Sequence, residues 1–197
     1  MRKLILNEFL SLDGVMQAPG GPDEDCSGGF EHGGWQMSYF DEIGGEAVVS
    51  GIAGAGGFVL GRKTYEIFAA YWPTAPAEEQ AFAEPLNSLP KYVASRTLRD
   101  PLAWNNSTVI SGDLVEEVTR LKQQAGDDLL VIGSGDLAQT LIRSDLVDEY
   151  RIMIHPLVLG SGARLFRDGN EKRTLTLVGS RPTSTGVLIV TYRPSER

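Results

Sequence analysis

The sequence predicts a single α/β domain: a largely parallel sheet covered by helices and extended by antiparallel edge strands. Up to residue 143, short apolar runs alternate with segments of helical spacing, the pattern of strand–helix units. From Val147 onward strands follow one another with no helical segment between them, and the last, Val187–Arg193, alternates with a two-residue period after a turn at Gly186. A chain of 197 residues with 42% hydrophobic content suits one domain with a substantial core, and no repeat or linker divides it.

In chain order, Leu4–Leu12 reads as a strand that ends at the turn dipeptide Asp13-Gly14. Ala18–Gly34, rich in Gly, Pro and acidic residues, has the length of a functional loop. Gln36–Ile52 predicts a helix weakened in its middle by Gly44-Gly45. Gly57–Leu60 is a buried strand, followed by a helix near Tyr65–Ala70 that Tyr71-Trp72-Pro73 breaks, and Ala77–Leu86 is a further short helix. Lys91–Ser95 and Ser107–Ile110 are strands. Asp113 N-caps a helix ending near Ala125-Gly126, with Leu114, Val118 and Leu121 on one face. Leu129–Ile132 is a strand and Gly135–Arg143 a helix; Val147–His155, Thr174–Ser180 and Val187–Arg193 complete the strands.

With 18 basic and 26 acidic residues the net charge is -8, which argues against broad binding to nucleic acid but leaves room for a local anion site. The lone Cys26 forms no internal disulfide, as expected of a reducing compartment. The apolar run Leu4–Leu6 is too short for a signal peptide and nothing later approaches a membrane span, so a cytoplasmic protein is expected. Two histidines and one cysteine at these spacings make no metal site.

Chemistry gathers where strands end. At Gly61-Arg62-Lys63-Thr64 a strand runs into a helix, whose free N–H groups and dipole favour an anion. Gly61 permits close approach, Arg62 and Lys63 add charge, and the Thr64 hydroxyl can donate. The same residues would also serve as a solvated basic turn with Thr64 as N-cap. Gly133-Ser134-Gly135-Asp136-Leu137-Ala138 has the same layout and matches G-x-G-x-x-G/A. Its late position and the absence of an acidic residue at the end of the next strand disfavour a Rossmann unit. Ser95-Arg96-Thr97, at the end of a third strand, offers a cation and two hydroxyls suited to the 2′-phosphate of NADPH, or forms a simple polar loop.

Together with Ser11-Leu12-Asp13-Gly14 and the stretch Leu146–Phe166, these motifs resemble the dihydrofolate-reductase-like superfamily, in particular the small relatives of the reductase domain of the riboflavin-pathway deaminase-reductase. The resemblance spans roughly residues 2–193. It implies a three-layer sandwich with a mixed sheet of about eight strands, a homodimer, and NADPH contacts at Gly14, Gly61, Arg62, Lys63, Thr64, Ser95, Arg96, Thr97, Gly133, Ser134, Gly135, Asp136 and Leu137. It places Asp13 beside nicotinamide and substrate, and Pro156 at the pocket border. The helix carboxylate that polarises folate is replaced by Phe40, with Asp41 one residue on and rotated by about 100° on a helix. That argues against folate reduction. Ala70-Tyr71-Trp72-Pro73 likewise stands where riboflavin-pathway reductases carry an Asp-Pro-Arg-Leu type of stretch.

Asp13 and His32 are the candidate catalytic residues, His32 because its intrinsic pKa is near neutrality, although a loop histidine also serves as a solvated one. His155 reads as structural. Trp35, Phe40, Tyr65 and Trp72 either wall an aromatic-ring pocket or belong to the core. The expected activity is hydride transfer from NADPH to a small heterocycle. The alternatives are a non-catalytic NADPH-binding sensor or scaffold, a true dihydrofolate reductase, and a Rossmann-like transferase, which six parallel strands would favour.

Overall fold

The computed structural model describes residues 1–169 and 171–195. Eight strands form one sheet: β1 (Leu4–Ser11), β2 (Gly57–Gly61), β3 (Lys91–Ala94), β4 (Ser107–Ile110), β5 (Leu129–Ile132), β6 (Glu149–His155), β7 (Leu175–Pro182) and β8 (Leu188–Pro194). Their order is β4-β3-β2-β5-β1-β6-β8-β7. The strands from β4 to β6 are mutually parallel, and β8 and β7 add an antiparallel edge. This is the predicted mixed sheet. Its order differs from the Rossmann order 3-2-1-4-5-6 because β1 lies between β5 and β6. Six parallel strands are present, as the transferase reading asked, but their order is not the Rossmann one.

Among the described residues five α-helices cover the sheet: α1 (Glu42–Ala53), α2 (Arg62–Tyr71), α3 (Gln80–Ser88), α4 (Leu114–Gln123) and α5 (Gly135–Arg143). The alternation of β1 sorts them into two layers. Leu4, Leu6 and Leu10 pack with Val118 and Leu121 of α4 and Leu137 and Leu141 of α5. Ile5 faces the other way and packs with Ile52 of α1, Tyr65 of α2 and Leu86 of α3. Neighbouring strands β2 and β5 thus send their helices to opposite faces. At such a switch point the connections diverge and open a crevice at the carboxyl edge.

One helix departs from expectation. Instead of Gln36–Ile52, a single 3₁₀ turn covers Met37–Tyr39 and Phe40 is extended. The Asp41 carboxylate then caps α1 by accepting the Gly44 N–H at 2.8 Å. A side chain that satisfies a first-turn N–H starts a helix rather than continuing one. Asp41 is thus a cap and not a rotated position within a helix, and Gly44 falls in the first turn. Among the described residues no helix is long and apolar enough to cross a membrane.

Candidate functional site

A cleft of about 1110 Å³ opens along the carboxyl edge from β4 to β5. It is lined by Gly61–Thr64, Ser95–Thr97 and Ser134–Leu137, so the three strand-end turns share one space. A fourth turn, Ser111-Gly112-Asp113 between β4 and α4, also lines it, as does Arg99. The sequence reading assigned neither, although the strand–Gly–helix pattern of Ser111–Leu114 repeats that of the other turns.

At the switch point the β2 and β5 turns are joined directly. Ser134 Oγ accepts the Gly61 N–H at 2.8 Å and lies 2.9 Å from Thr64 Oγ1. The glycines leave the junction little spare room: a Cβ on Gly61 would meet Ser134 at 3.2 Å, and one on Gly133 would meet Thr64 at 3.3 Å. Gly133 and Ser134 are both left-handed, at φ 58° and 64°. The N-cap of α2 is Gly61, which corrects the alternative placing of Thr64 there. Neither α2 nor α5 has a side-chain cap, whereas α1 and α4 are capped by Asp41 and Asp113. The two helices that flank the switch point keep their first N–H groups free of side-chain caps.

The cations differ in their commitments. Arg62 pairs with Glu66 at 2.9 Å on an exposed surface, a contact weak enough to exchange for a ligand. Lys63 Nζ lies 3.6 Å from Asp25 Oδ2 and 3.4 Å from Ser27 Oγ, tying the Ala18–Gly34 loop to the β2 turn. The exposed Arg96 guanidinium has no hydrogen-bond or ion-pair partner among the described residues, while Ser95 Oγ accepts the Leu98 N–H at 3.0 Å and shapes the turn. Asp136 pairs with Arg167 at 2.8 Å.

The Ser11–Gly14 segment is tied to the chain after β6. Asp13 accepts from Ser11 Oγ at 2.6 Å, Leu159 N at 3.1 Å and Gly160 N at 2.9 Å, with Arg164 at 3.4 Å. The Ser11 hydroxyl, followed by these backbone donors, holds the carboxyl well below the usual carboxylate range. Asp13 thus pins the β1 turn to the segment after β6. Gly14, at φ 81°, closes that turn through its N–H to Ser11 O at 2.9 Å and does not line the cleft.

His32 is exposed and meets only the edge of Phe30 at 5.6 Å among the described rings; it does not line the cleft. His155 is buried, with Nδ1 between Leu10 O at 3.2 Å and Met153 O at 3.1 Å, and burial lowers its pKa. Phe9, Trp35 and Tyr39 surround it edge-on at 5.8, 5.0 and 5.9 Å. Trp35 is buried, its indole N–H donating to Gln17 O at 2.7 Å. Phe40 is exposed beside Phe82 of α3. Tyr65 and Trp72 belong to the α1–α3 core. Pro156 is exposed after the end of β6.

Fold and cleft define a doubly wound α/β protein with an open crevice at its switch point. The chain belongs to the RibD C-terminal domain family, which matches residues 2–189. It is 31% identical over 194 residues to the uncharacterized Bacillus subtilis protein YyaP, covering 97% of this chain and 94% of that one. A solved structure from Shewanella sp. PV-4, provisionally assigned to riboflavin biosynthesis, superposes with TM-score 0.73 at 21% identity over the whole of both chains. The diaminohydroxyphosphoribosylaminopyrimidine deaminase/5-amino-6-(5-phosphoribosylamino)uracil reductase of Thermotoga maritima superposes with TM-score 0.64 at 12% identity, over 98% of this chain and 57% of that one. At these identities the two structures establish the fold.

Proposed function

We propose that this protein is an NADPH-dependent reductase acting on a small heterocyclic substrate, of the 5-amino-6-(5-phosphoribosylamino)uracil reductase-like type. Family membership suggests the oxidoreductase class. The observation that carries the cofactor reading is the pair of uncapped helix N-termini meeting at the switch point. Backbone N–H groups of α2 and α5, the Thr64 hydroxyl, Arg62 and Lys63 suit a pyrophosphate, and Arg96 with Ser95 and Thr97 suits a 2′-phosphate. Bound there, the dinucleotide would supply hydride. The chain's own residues bind and orient it, and Lys63 joins that task to the position of the Ala18–Gly34 loop.

NADPH should bind more tightly than NADH in a fluorescence titration. Removing Arg62 and Arg96 together (Arg62→Ala with Arg96→Ala) should weaken NADPH by about 10- to 100-fold, the worth of charge-assisted hydrogen bonds. Equal affinity for both cofactors and no change in the double variant would refute the phosphate assignment.

A non-catalytic sensor is the second reading, favoured by two observations: Asp13 is engaged by Ser11, Leu159, Gly160 and Arg164, and His32 does not line the cleft. It predicts NADPH binding without oxidation across pterins, pyrimidines and quinoid compounds; turnover of any of them excludes it. A homodimer in the cytoplasm is part of the reading, and β7 is the edge offered for pairing.

A further inference from the structure

Lys63 lines the cleft, yet its ammonium is engaged by two residues that do not: Nζ lies 3.6 Å from Asp25 Oδ2 and donates to Ser27 Oγ at 3.4 Å. Both stand on the Ala18–Gly34 loop. Asp25 is presented to the lysine by a built turn. Its Oδ1 accepts from the Ser27 N–H at 3.0 Å and from the Ser27 hydroxyl, which leaves Oδ2 for Lys63. Gln17, 8% exposed, clamps the backbone of that turn: Nε2 donates to Asp25 O at 3.0 Å and to Ser27 O at 2.9 Å, while Oε1 accepts the Ala163 N–H at 2.9 Å. Just before it, the Glu24 carboxylate accepts the Gly20 and Gly21 N–H groups at 2.7 and 3.0 Å. The carboxylate of Asp25 is thus fixed from the loop side. The lysine is not: its side chain is 61% exposed against 29% for Asp25, so Lys63 is the partner free to move.

An exposed ion pair of this length is weak, whereas an ammonium facing a phosphate makes a stronger, charge-assisted contact. An anion bound in the cleft and a carboxylate outside its lining compete for the same ammonium, and the anion wins. We propose that Asp25 is a built-in competitor of the cleft's ligand: before a ligand arrives it holds Lys63 to the loop and the loop to the β2 turn, and a phosphate that takes Lys63 releases residues 24–27. Gln17 O also accepts the Trp35 indole N–H at 2.7 Å, so the release bears on the buried Trp35 end of the loop as well. The proposal rests on the dinucleotide reading of that cleft.

Cys26, the one cysteine of the chain and exposed, follows Asp25 and takes a nitroxide label. Label mobility is read by electron paramagnetic resonance in wild type, Asp25→Asn and Lys63→Met, and NADPH affinity is titrated on the unlabelled proteins. Asp25→Asn keeps an oxygen for Ser27 and removes the charge that holds Lys63. It should bind NADPH about threefold more tightly than wild type, the worth of an exposed ion pair. Lys63→Met should bind about tenfold more weakly, having lost the phosphate contact. In wild type, saturating NADPH should raise the mobility of the label; in both variants mobility should be high from the start and unmoved by NADPH. A damaged loop weakens binding, so tighter binding by Asp25→Asn has no such origin. An Asp25→Asn protein that binds no more tightly than wild type overturns the proposal, as does a wild-type label that NADPH leaves unmoved. If wild type binds no NADPH, the dinucleotide reading fails by itself and inorganic pyrophosphate takes its place: a label that pyrophosphate also leaves unmoved overturns the competitor role.

Discussion

Two buried ionisable side chains are handled in opposite ways. Lys91, fully buried, donates to Leu86, Asn87 and Leu89 carbonyls at 2.8, 3.2 and 3.0 Å, and its ammonium lies 4.3 Å from the centre of the Trp104 ring. Desolvation lowers it to about 8, and its donors are spent on the carbonyls that end α3. Glu8 is buried as well, in the apolar β1 face, and its Oε1 has no partner among the described residues. Its folded-state pKa is raised, so the native state keeps a proton that the unfolded chain releases. The corresponding stability is complete below about pH 4.5 and is lost as pH rises toward the folded-state value. Glu8→Gln should therefore gain in Tm over wild type as pH is raised from about 5 to about 8, measured by calorimetry; a constant difference would mean that Glu8 is not held neutral. Neither environment was legible from sequence. Lys91 reads simply as the first residue of a strand, because the chain that closes over it comes from elsewhere.

Among the elements, strands were read well because short apolar runs bounded by Gly, Pro or Asp are local signals. The Gln36–Ile52 helix was not. Gln36–Tyr39 has helical spacing, but Asp41 also accepts from Ser184 N at 2.8 Å and Ser184 Oγ at 2.6 Å, in the turn between β7 and β8. A cap anchored from both sides outweighs the local preference to continue. Asp41→Ala should lower Tm by a few degrees and increase amide exchange at Gly44 and Ser184 together. Exchange rising at Gly44 alone would show that the cap and the tether are independent. The contrast between capped α1 and α4 and uncapped α2, α3 and α5 belongs to this scale as well.

For the whole molecule, strand order decides what meets what. β7 forms the sheet edge, with Leu177 and Val178 about half exposed, and Leu188 of β8 also exposed. A second copy of this chain is the proposed cover for that apolar edge. Sedimentation should report a dimer, and Leu177→Lys should shift it toward monomer while leaving NADPH affinity unchanged. A wild-type monomer would rule the dimer out.

The sequence by itself determined which groups stand at each strand end, because a glycine acts through its own backbone and a cation or a hydroxyl through its own side chain. It also determined the alternation from strand–helix units to a terminal ribbon, and through its motifs the family. Only the tertiary structure decided that β5 lies against β2, which puts Ser134 on Gly61 and merges separate turns into one cleft. The same packing engaged Asp13, left His32 outside and buried Glu8 in the sheet. These outcomes depend on partners far apart in the chain, and the period of an isolated segment carries no information about which strand will become its neighbour.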